Sequence, residues 1–316
     1  MARGGALGIS EVVGFLMYLS LFYQPLTTLA RLVEDVQVSF AGAVRVFEIL
    51  DAQSEIVEKP GAIEIGRTDG SVEFRHVSFA YDPREPVLDD VSFQARPGEM
   101  IALVGPTGVG KTTIVSLMER FYDVEKGAIT IGGYDVRDVT LSSLRKQMSL
   151  VLQDVFLFNG TIAENIAYGV NRASREEIVA AAKAACADEF IMAMPEGYDT
   201  VVGERGTRLS GGQAQRLALA RTLAHPRPLL ILDDPFSALD RNTEDTVFAN
   251  LQAYARDKVV FLISHRLYHF PQLRQVIFME DGKTAVGTHA ELMASVPAYR
   301  QLYESQTGGQ RHEGSV

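Results

Sequence analysis

The chain has 316 residues, of which 47% are hydrophobic and 22% are charged, and its 30 basic against 40 acidic residues give a formal net charge of -10. This composition excludes a disordered, a collagen-like and a disulfide-stapled chain, and the acidic balance disfavours nonspecific binding to nucleic acid. At roughly 150 residues per domain, the length allows two domains, or one large domain with an appendage.

The first 50 residues differ from the rest, because residues 12–30 form an uncharged stretch between Glu11 and Arg31. As a helix this stretch would be about 28 Å long, enough to cross the core of a bilayer. Beyond Pro25 the apolar residues recur every three or four positions, so we expect a helix over residues 10–50 that Pro25 can kink without ending. A signal peptide and an amphipathic helix of a soluble core stay open as alternatives. The Lys and Arg counts leave the orientation undecided.

Residues 51–71 contain prolines and glycines and lack a sustained periodicity, so they are interpreted as a linker. A compact domain is expected over residues 72–306. Its opening segments, 72–81 and 87–95, alternate apolar and polar residues like antiparallel strands. From Met100 onward, short apolar strands alternate with helical segments, which predicts a parallel α/β sheet. Residues 307–316 are polar and glycine-rich, and are predicted to form a flexible tail.

A glycine-rich loop follows the first strand of this predicted sheet. The strand 100–104 leads into Gly105-Pro106-Thr107-Gly108-Val109-Gly110-Lys111-Thr112-Thr113 and then into a helix predicted over 114–121. This is a P-loop in its strand, loop and helix setting. The glycines let backbone N–H groups turn toward phosphates, and the helix N-terminus adds partial positive charge. Lys111 can reach the outer phosphates and Thr112 can offer a hydroxyl to Mg²⁺, so we expect a nucleotide site.

Three further apolar strands end in polar residues: 149–152 before Gln153, 229–232 before Asp233 and Asp234, and 259–263 before His265. Ligands of open α/β sheets bind at the carboxyl ends of the strands, so these side chains are expected to converge on one nucleotide. Asp233 is the expected Mg²⁺ residue, acting directly or through water. Gln153 can contact Mg²⁺ and the attacking water, and His265 can contact the γ-phosphate.

A second glycine-rich helix start is found at Leu209-Ser210-Gly211-Gly212-Gln213, which leads into a helix predicted over 214–224. Ser210 is a natural N-cap, and the two glycines expose backbone amides. The pattern predicts a second anion-binding helix terminus, although a capped helix without a ligand has the same sequence features. The single cysteine, Cys186, lies in the alanine-rich run 180–187, which predicts a buried thiol within a helix in a reducing compartment.

Residues 72–306 contain these motifs in the order found in the nucleotide-binding domain of ABC transporters of the exporter type, and the segment resembles that domain. The resemblance implies an α/β P-loop NTPase fold with an antiparallel β subdomain and a helical subdomain, preceded by a long (trans)membrane helix. It implies that Tyr81 stacks on adenine, that residues 105–113 bind the phosphates of ATP, that Gln153 is the Q-loop glutamine and that His265 is the switch histidine. Residues 237–240 correspond to the D-loop and 202–206 to the X-loop, which contacts the membrane domain.

The resemblance also implies a dimer. Two such domains bind two ATP molecules head to tail, so Ser210, Gly211, Gly212 and Gln213 are expected to bind ATP held by the partner, a second exporter half-transporter. The membrane is the other expected partner, and nucleic acid is not one. The expected location is the plasma membrane, with the nucleotide-binding domain in the cytoplasm. Residues 1–50 resemble the last transmembrane helix of a six-helix membrane domain and its cytoplasmic extension, so the chain is expected to be a truncated half-transporter or a fragment.

One residue departs from the family pattern. Asp234 stands where the family usually has the glutamate that polarises the attacking water, and aspartate is one methylene shorter. Losing a positioned base costs roughly 10²- to 10⁴-fold in rate. Residues 233–240 and 263–271 are similar to the subunit of heterodimeric bacterial multidrug exporters that holds the hydrolysis-poor site. The expected catalytic residues are therefore a weak Asp234 with Gln153 and His265, and the expected metal residues are Thr112, Gln153 and Asp233.

Three other functions stay open from the sequence. A homodimeric exporter would require Asp234 to be an adequate base. An ABC ATPase acting on chromosomes or ribosomes is disfavoured by the acidic balance, by the apolar run in residues 12–23 and by the X-loop-like residues 203–206. A nucleotide-sensing module that no longer transports is the third. The sequence does not identify the exported substrate.

Overall fold

The computed structural model describes residues 8–52, 54, 56–169 and 173–308, and of the predicted tail only 307 and 308 are among them. The chain divides between residues 55 and 56 into two compact units. The first contains one described element, the helix α1 (Ile9–Leu50), and Pro25 lies inside it as expected. The hydroxyls of Thr27 and Thr28 donate to the carbonyl of Gln24 and so need no water. By length and composition α1 can cross a membrane, since an 18-residue stretch within it has a mean hydropathy of 1.4.

The second unit is built on two sheets and nine α-helices among its described residues. Its elements are β1 (Val72–Asp82), β2 (Glu85–Ala95), β3 (Glu99–Val104), α2 (Lys111–Met118), β4 (Lys126–Ile131), β5 (Tyr134–Asp135), α3 (Leu141–Arg145), β6 (Met148–Val151), α4 (Ile162–Ala167), α5 (Arg175–Ala184), α6 (Asp188–Met192), α7 (Gly211–Leu223), β7 (Leu229–Asp233), α8 (Arg241–Tyr254), β8 (Val259–Ile263), β9 (Gln275–Glu280), β10 (Lys283–Gly287), α9 (His289–Ser295) and α10 (Pro297–Gly308).

The strand order confirms the predicted fold class. An antiparallel sheet has the order β2-β1-β4-β5, and a six-stranded sheet has the order β10-β9-β3-β8-β7-β6. In the second sheet every neighbouring pair from β9 to β6 is parallel, and only β10 runs antiparallel. The short helices α4 to α6 and the start of α7 form the helical part of the unit.

The central strands are apolar throughout because both of their faces are buried. In β8, Phe261 packs into the core between the two sheets, while Leu262 packs into the core on the helical side. The same alternation separates Ile101 from Ala102 in β3. A strand that is covered on both faces has no polar face, so its residues form an unbroken apolar run in the sequence.

The segment interpreted as a linker is irregular, yet from residue 56 it belongs to the second unit. We call residues 56–71 the strap. The strap is fastened by the buried Gln147, whose side-chain oxygen accepts from the Thr68 N–H and whose side-chain nitrogen donates to the Gly66 carbonyl, each at 2.9 Å. Ile65 of the strap is buried in the core between the sheets. Local periodicity cannot reveal such an attachment, because its partners lie about 80 residues further along the chain.

The prediction for Cys186 was wrong in one respect. Helix α5 ends at Ala184, and Cys186 takes a positive φ of 54° where the chain turns toward α6. The thiol is therefore half-buried beyond the helix, not buried within it. An alanine-rich run marks a helix but does not fix its last residue.

Candidate nucleotide site

The glycine-rich loop lies between β3 and α2, as predicted, and its conformation requires glycine at several positions. Gly108 and Gly110 have φ values of 83° and 105°, which side chains disfavour. A Cβ on Gly105 would lie 2.3 Å from the carbonyl oxygen of Met279. Gly110 is also the N-cap of α2 and offers no side chain to cap the helix. The first-turn N–H groups of α2 are therefore open to an anion.

Lys111 is folded back over this loop. Its side chain is buried, and Nζ donates to the carbonyl oxygens of Gly105 and Pro106, both at 2.8 Å. Burial lowers the pKa of Lys111, and the nearby carboxylate of Asp233 opposes that shift. The ammonium group is thus held at the loop, where a phosphate oxygen would be a stronger partner than a neutral carbonyl.

Tyr81 and the loop border the same cleft, of about 570 Å³, with Pro106, Thr107, Gly108 and Val109 on its wall. Tyr81 is 53% exposed, and its hydroxyl donates to Oγ1 of Thr113 at 3.2 Å. Its ring meets Phe79 and Tyr122 edge to face. The Thr112 side chain is exposed at the start of α2, whereas Thr113 is buried. The structure therefore places the predicted adenine and phosphate residues together.

The strand register aligns the remaining candidates at one edge. Val151 pairs with Leu232, and Asp233 pairs with Ile263. Gln153 therefore follows β6 beside the end of β7, and His265 follows β8 on the other side of Asp233. Both Gln153 and His265 are exposed. His265 also lines a second cleft, together with Leu239, Arg241, Glu244 and Arg266.

Asp233 and Asp234 have different surroundings. Burial and the adjacent Asp234 carboxylate raise the pKa of Asp233, while Lys111 and His265 act in the opposite direction. Asp234 is 8% exposed and adopts a positive φ of 48°. Its Oδ1 is buried and has no hydrogen-bond partner among the described residues. A buried carboxylate oxygen without a partner is costly, and a bound water or cation would satisfy it.

These surroundings fit a magnesium ion that arrives with a nucleotide. Within the described ranges, no three His, Cys, Asp or Glu side chains form a group that could hold a metal. Mg²⁺ usually takes one or two protein ligands and completes its shell with water and substrate phosphates. The Thr112 hydroxyl, Gln153 and Asp233 suit that chemistry.

The second glycine-rich motif starts α7, and Ser210 is its N-cap, as predicted. The Ser210 hydroxyl accepts from the Gln213 N–H at 3.3 Å, and the Gln213 side chain accepts from the Ser210 N–H at 2.9 Å. This reciprocal capping box already satisfies two backbone donors. Ser210 and Gly211 are exposed. Of the hydrogen bonds formed by Ser210 and Gln213 in residues 56–169 and 173–308, none goes to the P-loop.

The X-loop-like segment lies on the border of the helical part. Val202 is fully buried, while Gly203 has a φ of 77° and leads into a single 3-10 turn over Glu204–Gly206. The side chain of Arg205 lies outside the described part of the chain. Gly206 approaches Leu157, in the segment that follows Gln153, so closely that a Cβ would lie 2.8 Å from its side chain.

Two residues near the site escaped the sequence analysis. Gln215 is buried and bonds to Asp234, Ser237 and Ala238. Arg266 donates to the carbonyl oxygens of Ser237 and Leu239 and to the Glu244 carboxylate. The sequence could have indicated Gln215, because its spacing from the buried Leu219 and Thr222 places a polar residue on the buried face of α7. No pattern in the sequence indicated Arg266, which is simply the residue after His265.

Comparison with known proteins agrees with this geometry. Residues 88–237 match the ABC transporter family. The chain is 45% identical over 305 residues to the ATP-dependent lipid A-core flippase of Methylobacillus flagellatus, covering 96% of this chain and 52% of that protein. It is 43% identical over 303 residues to the heavy metal tolerance protein of Schizosaccharomyces pombe, covering 95% of this chain and 36% of that protein.

A solved structure of a bacterial Atm1-family ABC exporter with ATP bound is also similar, with a TM-score of 0.80 and 37% identity. The match covers 97% of this chain and 54% of that one. The chain thus spans about half the length of the first relatives that it matches. From the P-loop geometry, the sheet order and these similarities, we conclude that the chain carries an ABC transporter nucleotide-binding domain with exporter-type relatives.

Proposed function

We propose that this chain is the ATP-binding and ATP-hydrolysing part of an ABC exporter. The observation that carries the proposal is the meeting of two features at one sheet edge. One is the P-loop with its buried Lys111, and the other is the buried, unpartnered carboxylate oxygen of Asp234. Phosphate binding and activation of water require such a pair of groups, a fixed cation and a carboxylate with an open position.

The residues divide the work as follows. Tyr81 supports the adenine, and the amides of residues 105–113 with Lys111 hold the phosphates. Thr112, Gln153 and Asp233 serve Mg²⁺, which neutralises phosphate charge when bound. Asp234 accepts a proton from the attacking water, and His265 contacts the γ-phosphate. When phosphate binds, Lys111 exchanges two bonds to neutral carbonyls for bonds to an anion, and because its side chain is already held at the loop, little of its binding energy is spent on ordering that side chain.

Asp234 makes the chain's own site slow. Its left-handed backbone is fixed, and its side chain is one methylene shorter than the glutamate usual in the family. The exposed Ser210 and Gly211 instead serve the site of a partner half-transporter that supplies a glutamate. A homodimer in which Asp234 suffices is the competing arrangement.

The exported substrate is a separate matter. The relatives named above include a lipid A-core flippase and a heavy metal tolerance protein, whose names imply different substrates. We assign none to this chain. We place α1 in the plasma membrane and the nucleotide-binding domain in the cytoplasm, because α1 carries the membrane-length apolar run.

Nucleotide binding tests the assignment directly. The full chain in detergent is titrated with a fluorescent ATP analogue and Mg²⁺. Lys111→Ala should weaken binding by about 10- to 100-fold, since it removes a charged donor worth about 1.5–3 kcal/mol. Lys59→Ala, a removal of one exposed cation from the strap, should leave the affinity unchanged. Equal affinity of the Lys111 variant and the unmodified chain would reject the site.

Alkaline carbonate extraction tests the role of α1. Membranes from cells expressing the full chain should retain it at high pH, because α1 presents an apolar stretch of membrane length. A chain starting at residue 56 should appear in the soluble fraction. That boundary keeps the strap, whose Ile65 is part of the core. Release of the full chain into the supernatant would favour an amphipathic helix that does not span the membrane.

A further inference from the structure

Gln215 is a buried side chain that joins helix α7 to the loop over residues 234–238. It is 3% exposed and lies in the second turn of α7. Its side-chain nitrogen donates to the Asp234 carbonyl and to the Ser237 hydroxyl, both at 2.9 Å. Its side-chain oxygen accepts from the Ala238 N–H at 3.0 Å. Three hydrogen bonds of Gln215 thus connect helix α7, whose N-cap is Ser210, to the loop that begins with Asp234.

These bonds fix the Asp234 backbone. The Asp234 N–H donates to the Ile263 carbonyl at 2.8 Å, and Gln215 holds the Asp234 carbonyl on the other side of the residue. A φ of 48° is uncommon for residues other than glycine, although aspartate tolerates it better than most, and here these two bonds hold the backbone on both sides of the residue. No described side chain bonds to Oδ1 of Asp234. The direction of its carboxylate is therefore set largely by the backbone that Gln215 restrains.

The same contact restrains the start of α7. A Cβ on Gly212 would lie 2.6 Å from the Ala238 carbonyl oxygen, so the helix start and residues 237–238 are in direct contact. From the other side, Arg266 donates to the Ser237 carbonyl at 3.0 Å. Ser237 and Ala238 are exposed, yet they are held between two side chains.

We infer that Gln215 is a positioning residue that holds the Asp234 carboxylate and the Ser210 helix start as one rigid piece. This inference rests on the proposed function, in which Asp234 serves the chain's own site and Ser210 serves the partner's. A displacement of α7 by a nucleotide on the partner would then move the Asp234 backbone as well. Gln215 acts through Asp234 and touches no nucleotide itself.

The test compares two buried glutamines in the full chain in detergent. Gln215→Met keeps the length of the side chain and removes all three bonds. Gln147→Met is the matched control, because Gln147 is also 3% exposed but fastens the strap. Both variants should lower the melting temperature. Only Gln215→Met should lower kcat, by about 10- to 100-fold as expected for a misplaced reacting group, while the affinity for Mg²⁺-ATP changes less than about twofold.

Amide hydrogen exchange gives a readout independent of turnover. In Gln215→Met, the peptide that contains residues 234–239 should exchange faster than in the unmodified chain, and in Gln147→Met it should not. Unchanged exchange there would overturn the inference even if the ATPase rate were too low to measure. Failure of the unmodified chain to bind Mg²⁺-ATP would instead reject the proposed function.

A double-mutant cycle separates positioning from general loosening. If Gln215 acts through the Asp234 carboxylate, Gln215→Met should have little further effect on kcat in an Asp234→Asn chain. Gln215→Glu keeps the acceptor for Ala238 and loses the donors, so it should resemble Gln215→Met in kcat. Additive losses in the cycle, or equal losses of kcat from Gln147→Met, would contradict the inference.

Discussion

The starts of α2 and α7 are both glycine-rich helix N-termini, but they are built in opposite ways. Helix α2 has Gly110 as its N-cap and therefore no side-chain cap, and a lysine bonded to the loop carbonyls lies beside its open amides. Helix α7 has Ser210 as its N-cap, and a closed capping box occupies two of its donors. The first start is ready to bind phosphate and carries its own cation. The second satisfies two of its donors through its own cap, so a ligand there has only the remaining first-turn N–H groups to bind.

The glycines at the two starts also serve different purposes. A Cβ at Gly108 would meet nothing within 4 Å, and glycine is needed there for a φ of 83°. Gly212 has an ordinary helical φ, but a Cβ would lie 2.6 Å from the Ala238 carbonyl oxygen. One glycine preserves a backbone shape facing a cleft, and the other allows close packing within the chain. Only the first arrangement is expected from a loop that must enclose a ligand.

The largest expected effect concerns the α7 start in a reconstituted heterodimer with complete membrane domains. Ser210→Ala combined with Gly211→Asp should lower ATPase activity by roughly 10²- to 10³-fold, since under the proposed function it removes the Ser210 hydroxyl and places a negative side chain where the partner's γ-phosphate is expected. Asp234→Asn should cost far less, because it affects the site that we propose to be slow. Steady-state phosphate release measures both. Equal losses would indicate two competent sites or a homodimer, and a larger loss from Asp234→Asn would refute the division of labour.

A smaller effect is expected at the site on the α2 side. Asp234→Glu should raise the ATPase rate of the full chain by at least about tenfold, because the added methylene restores the reach of a general base worth roughly 10²–10⁴ in rate. Asp69→Glu lengthens another carboxylate, one that accepts from Ser71 in the strap, and should leave the rate unchanged. An unmodified chain that already turns over at about 1 s⁻¹ or faster would contradict the slow-site interpretation.

The smallest expected effect concerns the close packing of Gly212 against Ala238. Gly212→Ala should destabilise the folded chain by about 1–3 kcal/mol, because the Ala238 backbone must move. At the adjacent Gly211 a Cβ would meet its nearest neighbour at 3.8 Å, which is an ordinary contact. Gly211→Ala should therefore be neutral, or stabilising by up to about 1 kcal/mol. Thermal unfolding of the two variants measures the difference, and similar melting temperatures would show that the contact with Ala238 relaxes freely.

Much of the fold was predictable from local patterns. The predicted bounds of β6, β7 and β8 agree with the structure to within one residue at each end. Strands that are buried on both faces are apolar at every position, so their ends are clear in the sequence. The role of Ser210 as the N-cap of α7 followed from capping preferences, which are local, although the helix was placed over 214–224 and so began three residues late. The helix after the P-loop was placed three residues late, since Lys111 to Thr113 were assigned to the loop.

The attachment of the strap to Gln147 and the hold of Gln215 on Asp234 were not predictable from the sequence. The first joins residues 79 positions apart, and the second joins residues 19 positions apart. Neither changes the local periodicity of its segment. An isolated polar residue on a buried helix face indicates that a partner exists, but it does not say which one.

The sequence by itself determined the chemistry of this protein: the phosphate-binding loop, the acidic strand end and the capped helix start are each encoded within a few neighbouring residues. The tertiary structure decided how these pieces are held. Lys111 rests on its own loop, Asp234 keeps a left-handed backbone with an unpartnered oxygen, and Gln215 connects it to the Ser210 helix. The physical reason is that propensities and caps act over one helical turn, whereas buried polar groups must find partners wherever the folded chain brings them.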